Sequence, residues 1–188
     1  MSDAPIVYFD DFVDPSMRDL AFAMLRDQLA WERREGAPRS EYWTNTFDRP
    51  YTYGRDAGRR TYEAQPSHPL INSFRDQIEA QSGVRLEGCF LNLYRDGQDS
   101  LGWHADDDPG IDHNRPIVVI TLGAGRDIAF KSKISGSHPE RLHLEPGSML
   151  VMRPGMQQTH YHAIPKLKAE DGPGLPRISL TYRGLVAE

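Results

Sequence analysis

Five residues in the second half of this chain have the types and spacing of a redox metal site: His104, Asp106 and His162, followed by Arg177 and Arg183. Two imidazoles and one carboxylate cover one face of an octahedral Fe(II) and leave three positions open for a chelating cosubstrate and O2. A closed four-ligand set would only staple the fold. The two arginines suit a dicarboxylate cosubstrate, because a guanidinium grips a carboxylate through two parallel hydrogen bonds. The set points to an oxygenase. A zinc hydrolase is the rival, since three ligands and a water also suit zinc. Zinc hydrolysis, however, has no use for paired arginines after the third ligand.

A His-x-Asp alone arises readily by chance, so the reading rests on conjunction and order. On an extended segment His104 and Asp106 point to one side, while Trp103 and Ala105 point away. Asp107 has the wrong parity, and Asp108 returns to the His104 side one step further along. The third ligand must come from another strand. His160 lies two residues before His162 on the same strand face and competes with it; the Ala-Ile-Pro that follows favours His162. His68, His113, His138 and His143 fall in turns or at strand edges and read as surface histidines.

In PRISLTYR (176–183), Arg177, Ser179, Thr181 and Arg183 share one parity, and Ile178, Leu180 and Tyr182 the other. Alternation alone describes an amphipathic strand. Two arginines inside a barrel nevertheless need anions to meet them. On the functional reading Arg177 grips one end of a dicarboxylate and Arg183 the end near the metal. Asn92 and Tyr94, also two apart, can donate hydrogen bonds to the same cosubstrate.

The elements that must position these residues follow from periodicity and punctuation. Residues 14–35 read as a helix, with Asp14 as cap, Pro15 in the first position, apolar residues from Met17 to Leu29 at helical spacing, and Gly36 as the stop. A second helix runs over 69–81, with Ser67 as cap and Gly83 as stop. Residues 37–66 read as loops and a short hairpin, placed to carry substrate contacts. From Arg85 the pattern becomes strands, at 86–94, 116–122, 127–131, 141–144, 148–152, 160–164 and 177–182. Turn signals separate them at 96–97, 123–125, 135–136, 146–147, 154–155 and 172–174, and 165–176 reads as a surface loop. The expected fold is α+β, mainly β: a jelly-roll core over residues 85–188, backed by helices and recognition loops over 1–84, in one domain.

Composition bounds the setting. With 38% hydrophobic and 26% charged residues the chain reads as soluble and globular. A net charge of -5 argues against tight non-specific coating of nucleic acid, though it leaves room for a local basic rim. Three small basic groups, Lys131 with Lys133, Arg55 with Arg59 and Arg60, and Lys166 with Lys168, read as solvated surface charge. The single cysteine, Cys89, sits among apolar neighbours and reads as a buried thiol. No apolar run approaches the ~20 residues of a membrane helix, and the N-terminus lacks the features of a secretory signal. A cytoplasmic monomer without membrane attachment is expected.

The segments NLYRDGQDSLGWHADDD (92–108), PIVVITLGAGRDIAFK (116–131), GSMLVM (147–152), YHAIP (161–165) and PRISLTYR (176–183) together resemble the AlkB family of Fe(II)/2-oxoglutarate-dependent dioxygenases. With YTYGRDAGRRTY (51–62), which looks like the family's nucleotide-recognition region, the resemblance covers most of residues 50–185. It implies a double-stranded β-helix. It makes His104, Asp106 and His162 the iron ligands, and sets Arg177 with Tyr94 on the distal carboxylate of 2-oxoglutarate. Arg183 then takes the carboxylate near iron, Asn92 lies beside the cosubstrate, and Asp108 matches an acidic residue that contacts the damaged base. The chain departs from the family pattern at three places. Ser179 stands where Asn is common and would supply a shorter or water-mediated cosubstrate contact. Leu93 stands where Arg is frequent. Ala64 occupies the position that first aligns with the base-sandwiching aromatic, which leaves Tyr62 and Tyr53 as the candidates.

The implied reaction is oxidative demethylation of 1-methyladenine and 3-methylcytosine in DNA or RNA. The base is flipped out or single-stranded, and formaldehyde, succinate and CO2 are released. Two alternatives remain: an oxygenase acting on a protein side chain or small molecule, and a non-catalytic cupin-like metal or metabolite sensor. The intact triad and both arginines argue against the sensor.

Overall fold

A computed structural model describes residues 4–54, 59–134 and 138–187. Two antiparallel sheets form a jelly-roll-like core. The larger has six strands in the order β1 (Ile6–Phe9), β10 (Met149–Met152), β7 (Ile117–Gly123), β12 (Arg177–Arg183), β5 (Gly88–Tyr94), β2 (Ser40–Asn45). The smaller has four, β6 (Leu101–His104), β11 (His160–Ile164), β8 (Arg126–Ser132) and β9 (Glu140–Leu144). A hairpin of β3 (Tyr51–Tyr53) and β4 (Arg60–Tyr62) stands beside them. Among the described residues no helix is long and apolar enough to cross a membrane.

Strand parity sorts the chain into layers. Ile178, Leu180 and Tyr182 of β12 face the helices, where they pack with Leu25 of α1 (Pro15–Gln28) and Ile71, Phe74 and Ile78 of α2 (Pro69–Ser82). The opposite face of the large sheet meets the small sheet in a second cluster that includes Tyr94, Val119, Phe130, Leu150 and Ile164. Arg177, Ser179, Thr181 and Arg183 therefore point between the sheets, into the layer expected from their alternation. A third cluster, built on Trp43, Tyr51, Tyr62, Phe90, Ile111 and Leu185, seals the hairpin end.

Several expectations need correction. The first helix ends at Gln28, well short of residue 35. The Trp31 indole folds back and donates to the carbonyls of Leu25 and Arg26, which closes the helix end early. Residues 32–36 do not continue it: Glu32 bridges to Glu41, and Gly36 serves a left-handed turn instead. The second helix ends on Gly83 at φ 70, as its stop signal requires. Its cap, however, is His68, whose Nδ1 accepts from the Leu70 N–H, while the Ser67 hydroxyl pairs with Asn72.

The segment read as loops and a hairpin contains an additional strand. β2 is the buried edge of the large sheet, paired with β5 from Ser40↔Leu93 to Asn45↔Gly88. Both of its faces are covered, Tyr42 by the helix layer and Trp43 by the hairpin cluster, so it shows no simple apolar–polar alternation. β1 was also missed; it is a four-residue edge strand on β10. The expected turn at 135–136 and the basic residue Arg55 lie outside the described residues. Cys89 is buried as expected, and burial pushes its thiol up.

Candidate active site

β6 and β11 are antiparallel neighbours in which His162 lies directly opposite His104. That register brings residues far apart in sequence face to face, with imidazole ring centres 4.1 Å apart. Asp106 follows two residues beyond the end of β6. Its backbone N–H donates to Gln157 Oε1, 3.0 Å away, on the short helix α3 (Met156–Thr159) that leads directly into β11. Gln157 thus ties the loop bearing one candidate ligand to the strand bearing another.

His104 Nε2 lies 3.8 Å from Asp106 Oδ1, and His162 Nε2 lies 4.0 Å from Asp106 Oδ2. One ligand-type atom from each residue falls within 4.8 Å of the others. Among the described residues no other group of histidine, cysteine, aspartate and glutamate side chains converges in this way. His160 does not join it; its Nδ1 pairs with Thr159 Oγ1 at 2.9 Å.

The protonation of the set fits a cation. His104 Nδ1 lies 2.9 Å from the Gly102 carbonyl, which can only accept, so the ring proton sits on Nδ1 and Nε2 presents a lone pair. Burial lowers both imidazoles, His162 to about 3, where the neighbouring His104 adds to the effect. Burial works in the other direction on Asp106, but Arg183 and the two histidines outweigh it and hold the carboxyl below its ordinary range. Two imidazoles kept neutral and a carboxylate kept ionised are thus gathered in one place, a donor set that a divalent metal stabilises.

The arginines lie between the sheets. Arg183 Nη2 donates to Asp106 Oδ1 at 3.0 Å, and its Nη1 donates to the Tyr51 hydroxyl at 3.0 Å. Arg177 is fully buried; Nη2 donates to Thr121 Oγ1 at 3.0 Å, while Nε and Nη1 have no hydrogen-bond partner. The β-register sets Arg177 opposite Tyr94, with its guanidinium 5.3 Å from the ring centre. Arg126, also buried beside Tyr94, spends its Nη atoms on three backbone carbonyls. Burial pushes Arg177 down to about 10, and the neighbouring Arg126 charge adds to the effect. A buried guanidinium with two unused donors has hydrogen-bonding capacity that an anion can take up.

Asn92 pairs with Ser179, which in turn lies opposite Thr121, giving a polar row one step from Arg177. Asn92 Oδ1 accepts from Arg39 Nε at 2.6 Å, so its amide N–H2 is left to face the cleft. Arg39 is itself held by Glu41 at 2.6 Å, and the second Glu41 oxygen accepts from the Tyr62 hydroxyl. Beside Arg39 and Asn92 lies a narrow cleft of ≈ 20 Å³, lined also by Tyr51, Tyr53, Phe90, Leu101, His104, Asp106 and Arg183.

The two candidate aromatics separate clearly. Tyr53 lines this cleft and the wide groove outside it. Tyr62 is 2% exposed, packed edge-on against Phe90 and covered by the Arg34 guanidinium, and it lines neither. Asp108 lies half-buried in the groove wall and accepts from the Tyr51 hydroxyl at 2.7 Å. Tyr51 was not singled out from sequence, yet it bridges Arg183 and Asp108. Burial pushes its phenol well above the ordinary range, which keeps the proton available for that bridge. Arg39, Glu41 and Gln157 were also missed. The first two belong to or flank the unrecognised strand β2, and nothing local marks Gln157.

A family model described as the 2OG-Fe(II) oxygenase superfamily matches residues 6–183. The chain belongs to this superfamily. The family uses Fe(II), 2-oxoglutarate and O2, and the donor set above fits that metal and that dicarboxylate. Similar proteins include alpha-ketoglutarate-dependent dioxygenase alkB homolog 3 of Bos taurus, 31% identical over 189 residues, covering 92% of this chain and 63% of that protein. DNA oxidative demethylase ALKBH2 of Bos taurus is 32% identical over 157 residues, 77% of this chain and 55% of that protein. The chain therefore spans less than two thirds of either relative's length. The solved structure of OsALKBH1 overlays with a TM-score of 0.67 at 16% identity, covering 98% of both chains, and confirms the fold. The AlkB resemblance drawn from the motifs is matched by these relatives.

Proposed function

We propose that this chain removes methyl groups oxidatively from N-alkylated nucleobases, 1-methyladenine and 3-methylcytosine, in DNA or RNA. On this reading His104, Asp106 and His162 hold Fe(II). Arg177 with Tyr94 takes the distal carboxylate of 2-oxoglutarate, Arg183 serves the carboxylate near the metal, and Asn92 and Ser179 line its path. The observation that carries the nucleobase reading is Asp108, an acid fixed by Tyr51 in the groove wall beside the metal ligands. A ring-methylated adenine or cytosine is cationic, so an oriented carboxylate at that point favours it over its neutral parent.

Bound iron supplies activation of O2 against 2-oxoglutarate, giving succinate, CO2 and hydroxylation of an N-methyl group whose product collapses to formaldehyde and the plain base. The protein supplies placement. Gly102 locks the His104 tautomer, and Arg183 orients the Asp106 carboxylate. Arg39 turns the Asn92 amide so that its N–H2 group faces the cosubstrate. Tyr51 couples the two halves of the site, since one hydroxyl serves both Arg183 on the cosubstrate side and Asp108 on the substrate side. Tyr53, in the walls of both cleft and groove, is positioned to stack on an extruded base; buried Tyr62 acts behind it through Glu41. The relatives named as DNA demethylase and dioxygenase support the substrate class.

The test is formaldehyde release from oligonucleotides carrying 1-methyladenine or 3-methylcytosine, run beside methylated peptides and free methylated nucleosides. Turnover of the oligonucleotides is expected. Turnover confined to peptides or small molecules would replace this reading with the other oxygenase assignment.

A further inference from the structure

The strands that carry the histidines also carry an aromatic residue on their opposite face. Trp103 precedes His104 on β6, and Tyr161 precedes His162 on β11. Both rings are outside the core, at 41% and 37% exposure. Lys131 of β8, directly opposite Tyr161, sets its ammonium 4.6 Å from the centre of the Trp103 ring and 5.5 Å from that of Tyr161. The Lys133 ammonium lies 4.6 Å from the Tyr161 ring. Lys133 is also engaged by Asp107 at 3.3 Å and by the Gln157 carbonyl at 2.7 Å. Lys131 makes no ion pair among the described residues.

This face is continuous with the mouth of the site. Trp103 and Tyr161 share one groove of ≈ 1230 Å³ with Tyr51, Tyr53, His104 and Asp108. The rim that is not acidic carries Arg49 and Arg59. Aromatic faces interleaved with cations are the features by which proteins hold unpaired strands: bases stack on the rings and phosphates meet the lysines. A duplex keeps its bases stacked on one another and cannot use such rings.

We propose that Trp103, Tyr161 and Lys131 form a stacking platform for the unpaired nucleotides that flank the reacting base, so that the strand entering the groove is single. The proposal rests on the nucleic-acid reading above and adds the form of the substrate and a second binding surface. It reconciles a chain of net charge -5 with a polyanionic ligand: local aromatic contacts replace a broad basic surface.

The test is fluorescence anisotropy of the full chain with labelled, unmodified oligothymidine and oligouridine of about ten nucleotides, within the span of known single-strand sites, and with a duplex of equal length. Wild type is expected to bind the single strands and to prefer them to the duplex; the sugar bound more tightly identifies DNA or RNA. Trp103→Ala and Tyr161→Ala should each weaken single-strand binding by roughly 10-fold, inside the range for losing one stacked base, and leave duplex binding unchanged. Lys131→Gln retains both rings and should lower the slope of log affinity against log salt by about 0.7, one phosphate contact on a single strand. Wild-type binding that none of the three substitutions weakens would overturn the platform and leave the nucleic-acid reading standing. Failure of wild type to bind or demethylate any oligonucleotide would remove both.

Discussion

Arg177 offers a test in which function and stability move in opposite directions. Its guanidinium is wholly buried, makes one side-chain hydrogen bond, to Thr121, and leaves Nε and Nη1 without partners. Without an anion this is a desolvated charge that the fold tolerates rather than gains from. Arg177→Met keeps the length and apolar volume and removes the charge. Exchanging buried ionic groups for apolar ones of similar size is often neutral or stabilising by about 1–4 kcal/mol. The Thr121 hydroxyl then loses its donor, which returns about 1 kcal/mol. Each remaining kcal/mol moves the melting temperature by roughly 2–4 °C in a chain of this size, so the cosubstrate-free variant should melt at or a few degrees above wild type. With 2-oxoglutarate the sign reverses. Removing one partner of a buried, hydrogen-bonded charge pair costs about 3–5 kcal/mol, a loss of roughly 10²- to 4 × 10³-fold in affinity. The assay is calorimetric melting of the Mn(II)-loaded protein over a 2-oxoglutarate series. Wild type at a hundred times its Kd gains about 2.7 kcal/mol, and the variant at that concentration should gain almost nothing. If the variant melts well below wild type while its 2-oxoglutarate affinity is unchanged, Arg177 is a structural residue and the argument from its unused donors is wrong.

Other outcomes follow from the same contacts. Tyr51→Phe removes the hydroxyl between Arg183 and Asp108; demethylation kcat/KM should fall by roughly 10- to 100-fold, the worth of about one hydrogen bond to a charged group. Asp108→Asn should depress turnover of cationic 1-methyladenine more than of a neutral alkylated base, and equal losses would take the charge-recognition role away from it. His162→Ala should abolish stoichiometric Fe(II) binding in equilibrium dialysis, whereas His160→Ala, whose ring pairs with Thr159, should retain it. For Asp99, burial pushes the carboxyl up, but Arg95, through both its side chain and its backbone N–H, and Arg33 outweigh that and hold it below 3.8. A depressed folded value contributes stability above the unfolded one and loses it as pH falls through the folded one. The melting deficit of Asp99→Asn should therefore be full at pH 7 and shrink as the pH drops below 3.8.

What the sequence made legible is what periodicity and charge parity encode. The β12 alternation placed two arginines in the interior, because a strand covered by helices on one face must sort its side chains that way. The spacing of His104 and Asp106 gave their common side, and β6–β11 pairing supplied the partner that spacing alone cannot. β2 stayed hidden because it is covered on both faces and its Glu41 pairs with the flanking Arg39 in a buried ion pair that imitates a polar loop. The early end of α1 depends on the Trp31 side chain folding back onto carbonyls, a contact with no composition signal. Choosing between Tyr53 and Tyr62 required knowing which side of a three-residue strand pair faces the cleft, and Tyr51 emerged only because its hydroxyl reaches residues 57 and 132 positions away.

The most direct test of the central claim is a single experiment. The protein is loaded anaerobically with Fe(II) and 2-oxoglutarate and mixed with O2 and a single-stranded oligonucleotide containing 1-methyladenine; succinate and unmodified adenine are counted together. Matched formation of the two is expected, lost without iron or 2-oxoglutarate and lost in Asp106→Ala. Succinate that requires Asp106 but leaves every methyl group in place, on this and on 3-methylcytosine strands, would contradict the nucleobase assignment. Absence of succinate from iron-loaded protein under all conditions would contradict the oxygenase chemistry of the site.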